Sequence, residues 1–476
     1  MRFVQAIALA SVVAFPLYTQ IARAQTCSGG GNASSCSDCD GDSDGGCGGN
    51  GNTSARTGSL TPVSTANSSN PASGDAAVSS SPVAPTVNAD PSVPGNASSP
   101  ITITSGGTYT GNWASSGNQP AITIATNQPV TILDSDITGT GTLIQSTVAG
   151  AQIVIRNCVA LEGDPSKAGD NPGQFAEIDN AASVDIEHNE ITNCGGYVID
   201  LHGYTGNGTT QTFTVDYNTI TNVDSRYSDG NGSYETSGNG LSHAIIFQGA
   251  VGVPGAEIAW NQIVNTPGQS YVNDVVNMYN ASGTASAPLT IHDNYIDGLY
   301  GIDPATDPDS GCGIITDSYS GAGSSEPANI EIYNNEVVST TNAAIGVAAG
   351  HDIKVYNNRA ISSGYYMASA SATTATAVYA TNVGIYAWDV YGEGSSGYYN
   401  VSVTDNTVGW VQAANTANNK TNTDVQNDYF VPNVDTYSGN LTTGSNPTLS
   451  TEAAEVLNWT AKTAASLVTL GVDIVQ

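Results

Sequence analysis

From Ile101 onward, apolar and polar residues alternate in runs too short for helices. ITIT begins at Ile101 and AITIA at Ala121, the period of half-buried strands. A longer pattern overlies this one. The stretch VDIEHNEITNCGGYVIDLHG, 184–203, reads as a strand, an asparagine, a second strand, a turn and a third strand. The same frame returns in FTVDYNTITNV from Phe213, EIAWNQIVNTPG from Glu257, LTIHDNYIDG from Leu289, IEIYNNEVVS from Ile330, IKVYNNRAIS from Ile353 and VSVTDNTVGW from Val401. Each copy places an apolar residue, two more residues, an asparagine, any residue, then an apolar residue. Seven asparagines fall in this register: Asn189, Asn218, Asn261, Asn294, Asn335, Asn358 and Asn406. Their intervals run from 23 residues (Asn335 to Asn358) to 48 (Asn358 to Asn406), so the strands repeat and the loops vary.

Three short strands per repeat, with an asparagine at one corner, predict a right-handed parallel β-helix in which each repeat forms one coil. Alternate apolar residues fill the interior, and coils stack about 4.8 Å apart. The asparagines bond backbone and one another as a ladder, turning the corner and satisfying buried polar groups. About ten coils fit between Ile101 and roughly Asn415. The stretch TEAAEVLNWTAKTAASLVTL within 450–476 lacks Gly and Pro and predicts an amphipathic helix, with Ser450 as N-cap and Glu452 in the first turn. Its expected task is to cover the open edge of the last coil. The expected organisation is a signal peptide over 1–24, a disordered leader rich in Gly, Ser, Asn and Cys over 25–100, the β-helix over 101–449 and the capping helix over 450–476.

The first 24 residues carry Arg2, an apolar run from Ala6 to Phe15 and the small-x-small site Ala22-Arg23-Ala24. That pattern predicts export, and no later stretch is apolar enough to span a bilayer. Four of the seven cysteines (Cys27, Cys36, Cys39 and Cys47) crowd the leader. In an oxidising compartment they form disulfides, with the pairing left open by their spacing. The Cys36-x-x-Cys39 pair lacks regular partners or a nearby histidine for zinc. CDGDSDGGCGGNGN, 39–52, has a calcium-loop composition but no terminal bidentate glutamate, and reads as an acidic linker. Cys158, Cys194 and Cys312 read as small buried residues.

Charge narrows the partners. Only 11% of residues are charged, and the net charge is −32. Seven basic residues lie beyond position 100: Arg156, Lys167, Arg226, Lys354, Arg359, Lys420 and Lys462. Such a chain offers no basic stripe to nucleic acid and repels polyanions unless cations intervene.

The strand order and the ladder over about 101–415 resemble the pectate-lyase-like superfamily of right-handed β-helix proteins. TYTGNW at Thr108, RYSDGNGSY at Arg226, EIAWN at Glu257, IHDNYI at Ile291 and AGHDIKVYNN at Ala349 are similar to a group of secreted bacterial β-helix proteins. The resemblance implies an extracellular polysaccharide as partner and places any chemistry on the strand that opens each coil and on its bordering loops. By alternation that strand projects Asp179, Asp200, His202, Gln248, Asn277, Tyr279, Thr316, Tyr386 and Trp388. Bordering loops bring Lys167, Arg226, Asp229, His243, Asp274 and Asp303. The candidate catalytic residues are therefore Asp200, His202, Arg226, His243 and Asp274. The candidate substrate-binding residues are Asp179, Gln248, Asn277, Tyr279, Tyr386 and Trp388.

Two reaction classes fit these residue types. A polysaccharide lyase needs a base and a neutraliser for the substrate carboxylate; Arg226, Lys167, His202, His243 or Tyr279 offer the first, and calcium on Asp179, Asp200 and Asp229 the second. A glycoside hydrolase needs paired carboxylates. The polygalacturonase motifs are not reproduced: Gly195-Gly196 stands at one paired-aspartate position, Ser242-His243-Ala244 precedes Asn273-Asp274, and Asn422-Thr423-Asp424 lies beyond the expected coils. The chain therefore reads as a secreted, monomeric carbohydrate-active protein that binds and cleaves a polysaccharide. The alternative is a non-catalytic adhesin or matrix scaffold. The two part over whether Asp200, His202, Arg226, His243 and Asp274 converge in one groove.

Overall fold

A computed structural model describes residues 98–473, apart from 116–118, 164, 308–310, 320–325, 370, 380–382 and 421–423. The expected signal peptide and the cysteine-rich leader lie outside the described residues. The remainder is a right-handed parallel β-helix of three long sheets with 11, 11 and 12 strands. Strands three apart in chain order are neighbours except where a small hairpin or an extra short strand is inserted, so each coil contributes one strand to each sheet. Coils continue past Asn415 through Tyr429–Phe430, Thr436–Ser438 and Leu441–Thr442, which makes eleven rather than ten along the first sheet.

The interior is a column of aliphatic side chains. Ile122, Ile153, Ile186, Val215, Ile258, Ile291, Ile332, Val355 and Val403 are at most 2% exposed. The seven asparagines form the expected ladder. Asn189 Nδ2 donates to Asn218 Oδ1 at 2.9 Å, and each later asparagine repeats the bond at 3.0 Å through Asn261, Asn294, Asn335, Asn358 and Asn406. Each side-chain oxygen also accepts the backbone N–H of the preceding rung, as in Asn218 N to Asn261 Oδ1 at 3.1 Å. The ladder gains an eighth member, Asn440, which accepts from Asn406 at 3.0 Å. Its frame escaped the sequence pattern because Thr442 stands where an apolar residue is expected. Cys158 occupies the rung before Asn189 and donates its N–H to Asn189 Oδ1 at 3.0 Å.

The turn itself belongs to the residue before each asparagine. His188, Tyr217, Trp260, Asp293, Asn334, Asn357 and Asp405 all have φ between 51° and 60°. This left-handed conformation costs an ordinary side chain about 1–2 kcal/mol. Asn and Asp tolerate it; Tyr217 and Trp260 offset it by stacking, on His188 at 4.9 Å and near Trp459 at 6.0 Å.

The helix Leu449–Ser466 differs from expectation in cap and in place. Thr448, not Ser450, is the N-cap, in a capping box with Thr451. The helix lies along the outside of the third sheet instead of over the last coil. Its buried Trp459 packs on Tyr295 and donates to Gln262 Oε1 at 2.9 Å. Glu455 pairs with Arg359, Glu452 Oε1 accepts the Ser363 N–H, and Lys462 bridges to Asp293 at 2.8 Å. The third sheet meets this helix with Tyr295 and Val338 beside Trp459, Gln262 at its indole and Arg359 at Glu455.

Corner geometry positions the site. Every joint between second-sheet and third-sheet strands has two residues, such as His188-Asn189. The joints on either side of the first sheet vary, with connections such as 222–242 and 265–273 before its strands and 205–212 and 249–256 after them. Only the outer face of the first sheet is thus walled by long loops on both sides.

Candidate active site

The first-sheet strands Ala176–Ala181, Tyr197–Tyr204, His243–Gln248 and Asp274–Tyr279 lie side by side and in register. Alternation is broken at the same level in three of these strands, at Val198-Ile199, Ala244-Ile245 and Val275-Val276. Val198 and Ile199 are consecutive and both buried in the core, so Tyr197 and Asp200 face outward with two inward residues between them. Three outward rows result. One aligns Tyr197, His243 and Asp274; the next Glu177, Asp200, Ile246 and Asn277; the last Asp179, His202, Gln248, Tyr279 and Asp317.

The middle row holds the most perturbed acid. Asp200 is 7% exposed, and its Oδ1 is buried without a hydrogen-bond partner. Burial holds its carboxyl well above the usual range, and the neighbouring Glu177 and Asp179 add to the effect against a hydrogen bond to Gln174. Burial therefore favours the protonated form of Asp200. Glu177 is raised by burial and accepts from Gln145 Nε2 at 2.7 Å. Asp179 is raised by burial and lowered by His202, whose Nδ1 lies 3.7 Å from Asp179 Oδ1. The His202 side chain is 53% exposed, so this pair opens to solvent.

His243 and Asp274 open their strands rather than sitting in loops. His243 is 2% exposed; its Nδ1 lies 3.1 Å from the Asp274 carbonyl and 3.5 Å from its Oδ2. Burial pushes its pKa down to about 4, so the ring is neutral, and it stacks on Tyr197 at 5.0 Å. Asp274 accepts from the Cys312 N–H at 2.7 Å and from Asn277 Nδ2 at 2.9 Å. Asn277 Oδ1 is buried without a partner.

Arg226 has a different position. It lies in the strand Arg226–Ser228, which pairs with Tyr234–Asn239 as a small hairpin beside the sheet. Its Nε and Nη2 donate to Asp224 Oδ1 and Oδ2 at 2.8 and 2.6 Å, Nη1 donates to the Gly268 carbonyl at 2.8 Å, and Tyr234 covers the guanidinium at 4.3 Å. The arginine ties two loops together. Four of the five candidate catalytic residues thus share the outer face of the first sheet, while Arg226 braces its wall.

Of the candidate binding residues, Gln248 and Tyr279 line the last row, and Tyr279 lies 6.4 Å from Tyr319. Tyr386 is buried, its hydroxyl against Cys312 Sγ at 3.6 Å. Trp388 meets the exposed Phe430 edge-on at 5.9 Å. Thr316 corrects the alternation: it shares the inward row of Met278 and Val347 and donates to the Ala349 carbonyl at 2.9 Å. Asp229 accepts N–H bonds within its own loop from Asn231 and Ser233. Among the described residues no group of three or more His, Cys, Asp or Glu side chains is placed to hold a metal ion. Lys167 pairs with Asp170, and Asp303 accepts from Thr306 in its own turn.

Sequence reasoning missed Glu177, Gln174, Tyr197 and Asp317. Glu177 was legible, two residues before Asp179 on the same alternation. Tyr197 was not, because the break at Val198-Ile199 shifts it to the outward face. Asp317 is buried under Tyr391, whose hydroxyl donates to it at 2.6 Å across 74 residues of sequence.

No family profile and no curated protein matches the chain in sequence. Among solved structures it is similar to a mannuronic-acid-specific family 6 polysaccharide lyase of the human gut microbiota, at 11% identity, over 78% of this chain and 91% of that one, with a TM-score of 0.29. A family 6 polysaccharide lyase from Pseudopedobacter saltans matches at 10% identity, over 79% and 86% of the two chains, with a TM-score of 0.28.

Proposed function

We propose that the walled outer face of the first sheet binds an extracellular polysaccharide and hydrolyses it, with Asp200 as general acid and Asp179 as general base. The observation that carries this reading is Asp200 itself: an outward carboxyl, nearly buried, with one oxygen unbonded, beside a more open carboxylate. Two acids whose environments separate their proton affinities take opposite roles in glycoside cleavage. Asp179 and Asp200 sit diagonally on adjacent strands. Strand spacing and rise put their Cα atoms about 8 Å apart. Side chains rising from one sheet face at that Cα spacing can hold their carboxyls at the roughly 6.5–9.5 Å that leaves room for a water and inverts the anomeric centre.

In this mechanism Asp200 donates its proton to the leaving glycosidic oxygen. Asp179, held by His202, takes a proton from the attacking water on the opposite side of the sugar ring. His243, neutral and buried beneath the groove, holds Tyr197 and Asp274 in place without adding charge. A lyase on uronates needs a cation at the substrate carboxylate. Among the described residues these three rows carry no lysine or arginine, which favours hydrolysis of a neutral chain. The net charge of −32 points the same way. The apolar segment at 6–15 supports export as part of this reading.

The test is a panel of neutral and uronate polysaccharides followed by reducing ends and by absorbance of unsaturated products. Reducing ends without unsaturated products are expected on a neutral substrate. Unsaturated products would replace hydrolysis with elimination. Retained binding without either product would leave a scaffold or adhesin.

A further inference from the structure

A second concave surface lies around the corner from the carboxyl site. The outer face of the second sheet carries Thr131, Val154, Asp185 and Thr214 in one row across four strands. The connection 205–212 rises beside this row. Together they enclose a trough of about 320 Å³, lined among others by Thr131, Gln152, Asp185, Thr210, Thr212 and Thr214.

The wall of the trough is pre-formed. Asn207 Oδ1 accepts the N–H groups of Thr209 and Thr210 at 2.9 Å and of Gln211 at 3.2 Å. Tyr204 donates its hydroxyl to the Gln211 carbonyl at 2.6 Å and accepts from Gly208 N–H. Thr205 Oγ1 donates to the Asn180 carbonyl at 2.5 Å. Two polar atoms lining the trough are nevertheless buried without partners: Asp185 Oδ1 and Thr212 Oγ1. Leaving such an atom unsatisfied costs about 1–3 kcal/mol. Both atoms lie beneath the trough surface of half-buried side chains, so a ligand meets them when Asp185 and Thr212 rotate toward it.

We infer that this trough is a second carbohydrate subsite, taking a hydroxyl-bearing sugar of the polysaccharide whose scissile bond lies over Asp179 and Asp200. For the identity of its ligand the inference rests on the function proposed above. The chemistry of the lining selects the class. Asp185 accepts hydroxyl donors, Gln152 and the threonines both donate and accept, and Pro129 and Val154 supply apolar surface for the C–H face of a ring. A uronate or phosphate would bring its charge against Asp185, and Arg156, the cation that acts on Asp185 among the described residues, is already paired to Glu187 at 2.7 Å. The position is also apt. Asp185 shares a coil with Asp179, and the wall 205–212 continues directly from the strand bearing Asp200 and His202. A chain leaving the first-sheet groove over this corner enters the trough.

Titration calorimetry of the full chain with neutral hexasaccharides of glucose, xylose and mannose tests the inference. Asp200→Asn is used as background to stop turnover. Adding Asp185→Ala or Thr212→Val is expected to weaken binding of the best hexasaccharide at least tenfold, with an unchanged circular dichroism spectrum. The same substitutions in the otherwise native chain should raise KM for long chains and leave kcat on a short substrate unchanged. Equal affinity with and without Asp185→Ala overturns the inference, as does a failure of all three hexasaccharides to bind. Reducing-end release by the native protein is read separately. If it persists while the trough variants bind normally, only the subsite falls; if it is absent, the proposed hydrolysis falls on its own evidence.

Discussion

At the scale of the residue, the protonation of Asp200 is decisive. Burial, with Glu177 and Asp179 reinforcing it, raises the Asp200 carboxyl and favours its acid form. Asp179, raised less by its partial burial and steadied by His202, must lose its proton to act as base. Activity should therefore trace a bell against pH: the acidic limb reports Asp179 and the alkaline limb Asp200. A kcat/KM profile checks this, and Asp200→Asn should remove the alkaline limb along with most of the rate. Arg226 gives a contrasting expectation. Removing it strands the buried Asp224 carboxylate, so Arg226→Ala should destabilise the fold by about 3 kcal/mol in urea unfolding. It should leave kcat of the folded protein near native. Alternation made Asp179, Asp200 and His202 readable as neighbours on one face. It could not show that Asp200 is nearly sealed, because the sealing comes from Gln174 and loops distant in sequence. Nor could it show that Arg226 is taken by Asp224, since two residues of sequence separation fit a free loop arginine equally well.

At the scale of the element, the asparagine ladder and the C-terminal helix do different work. Asn261 accepts from Asn218, donates to Asn294 and donates to the Val215 carbonyl at 2.7 Å. Asn261→Leu leaves several buried groups unpaired and should cost about 3 kcal/mol or more, measured by denaturant midpoint. The helix is held over and carries carboxyls whose proton affinity burial raises. Burial raises Glu452 to about 8 and Asp297 to about 6, and it raises Glu336 above its usual range with Glu455 beside it. A raised pKa means that each contribution is complete below the ordinary carboxyl range and is lost as pH rises through the folded value. Glu455 runs the other way: burial raises it, but Arg359 wins and lowers it, so its contribution fades in acid. Docking should be firmest near pH 5 and weaken toward pH 8–9. The fluorescence of Trp459, buried against Tyr295, should shift red over that alkaline range. The helix itself was legible from its composition. Its partner surface was not, because the matching groups on the third sheet come from coils far apart in the chain.

At the scale of the whole molecule, the chain separates rigidity from variation. One corner of the β-helix is fixed at two residues per coil and stitched by asparagines, and the corners flanking the first sheet absorb the long connections. That division explains why the repeat was readable from apolar positions and asparagines, while the groove was only outlined. The walls are built by loops that obey no period.

The most direct test is the initial rate of reducing-end release from the best neutral polysaccharide by the native protein, Asp200→Asn and Asp179→Asn. The account predicts a loss of at least a hundredfold in kcat for each variant, with native-like folding. It also predicts an inverted anomer in the native product. Rates for Asp200→Asn within a fewfold of native would contradict it.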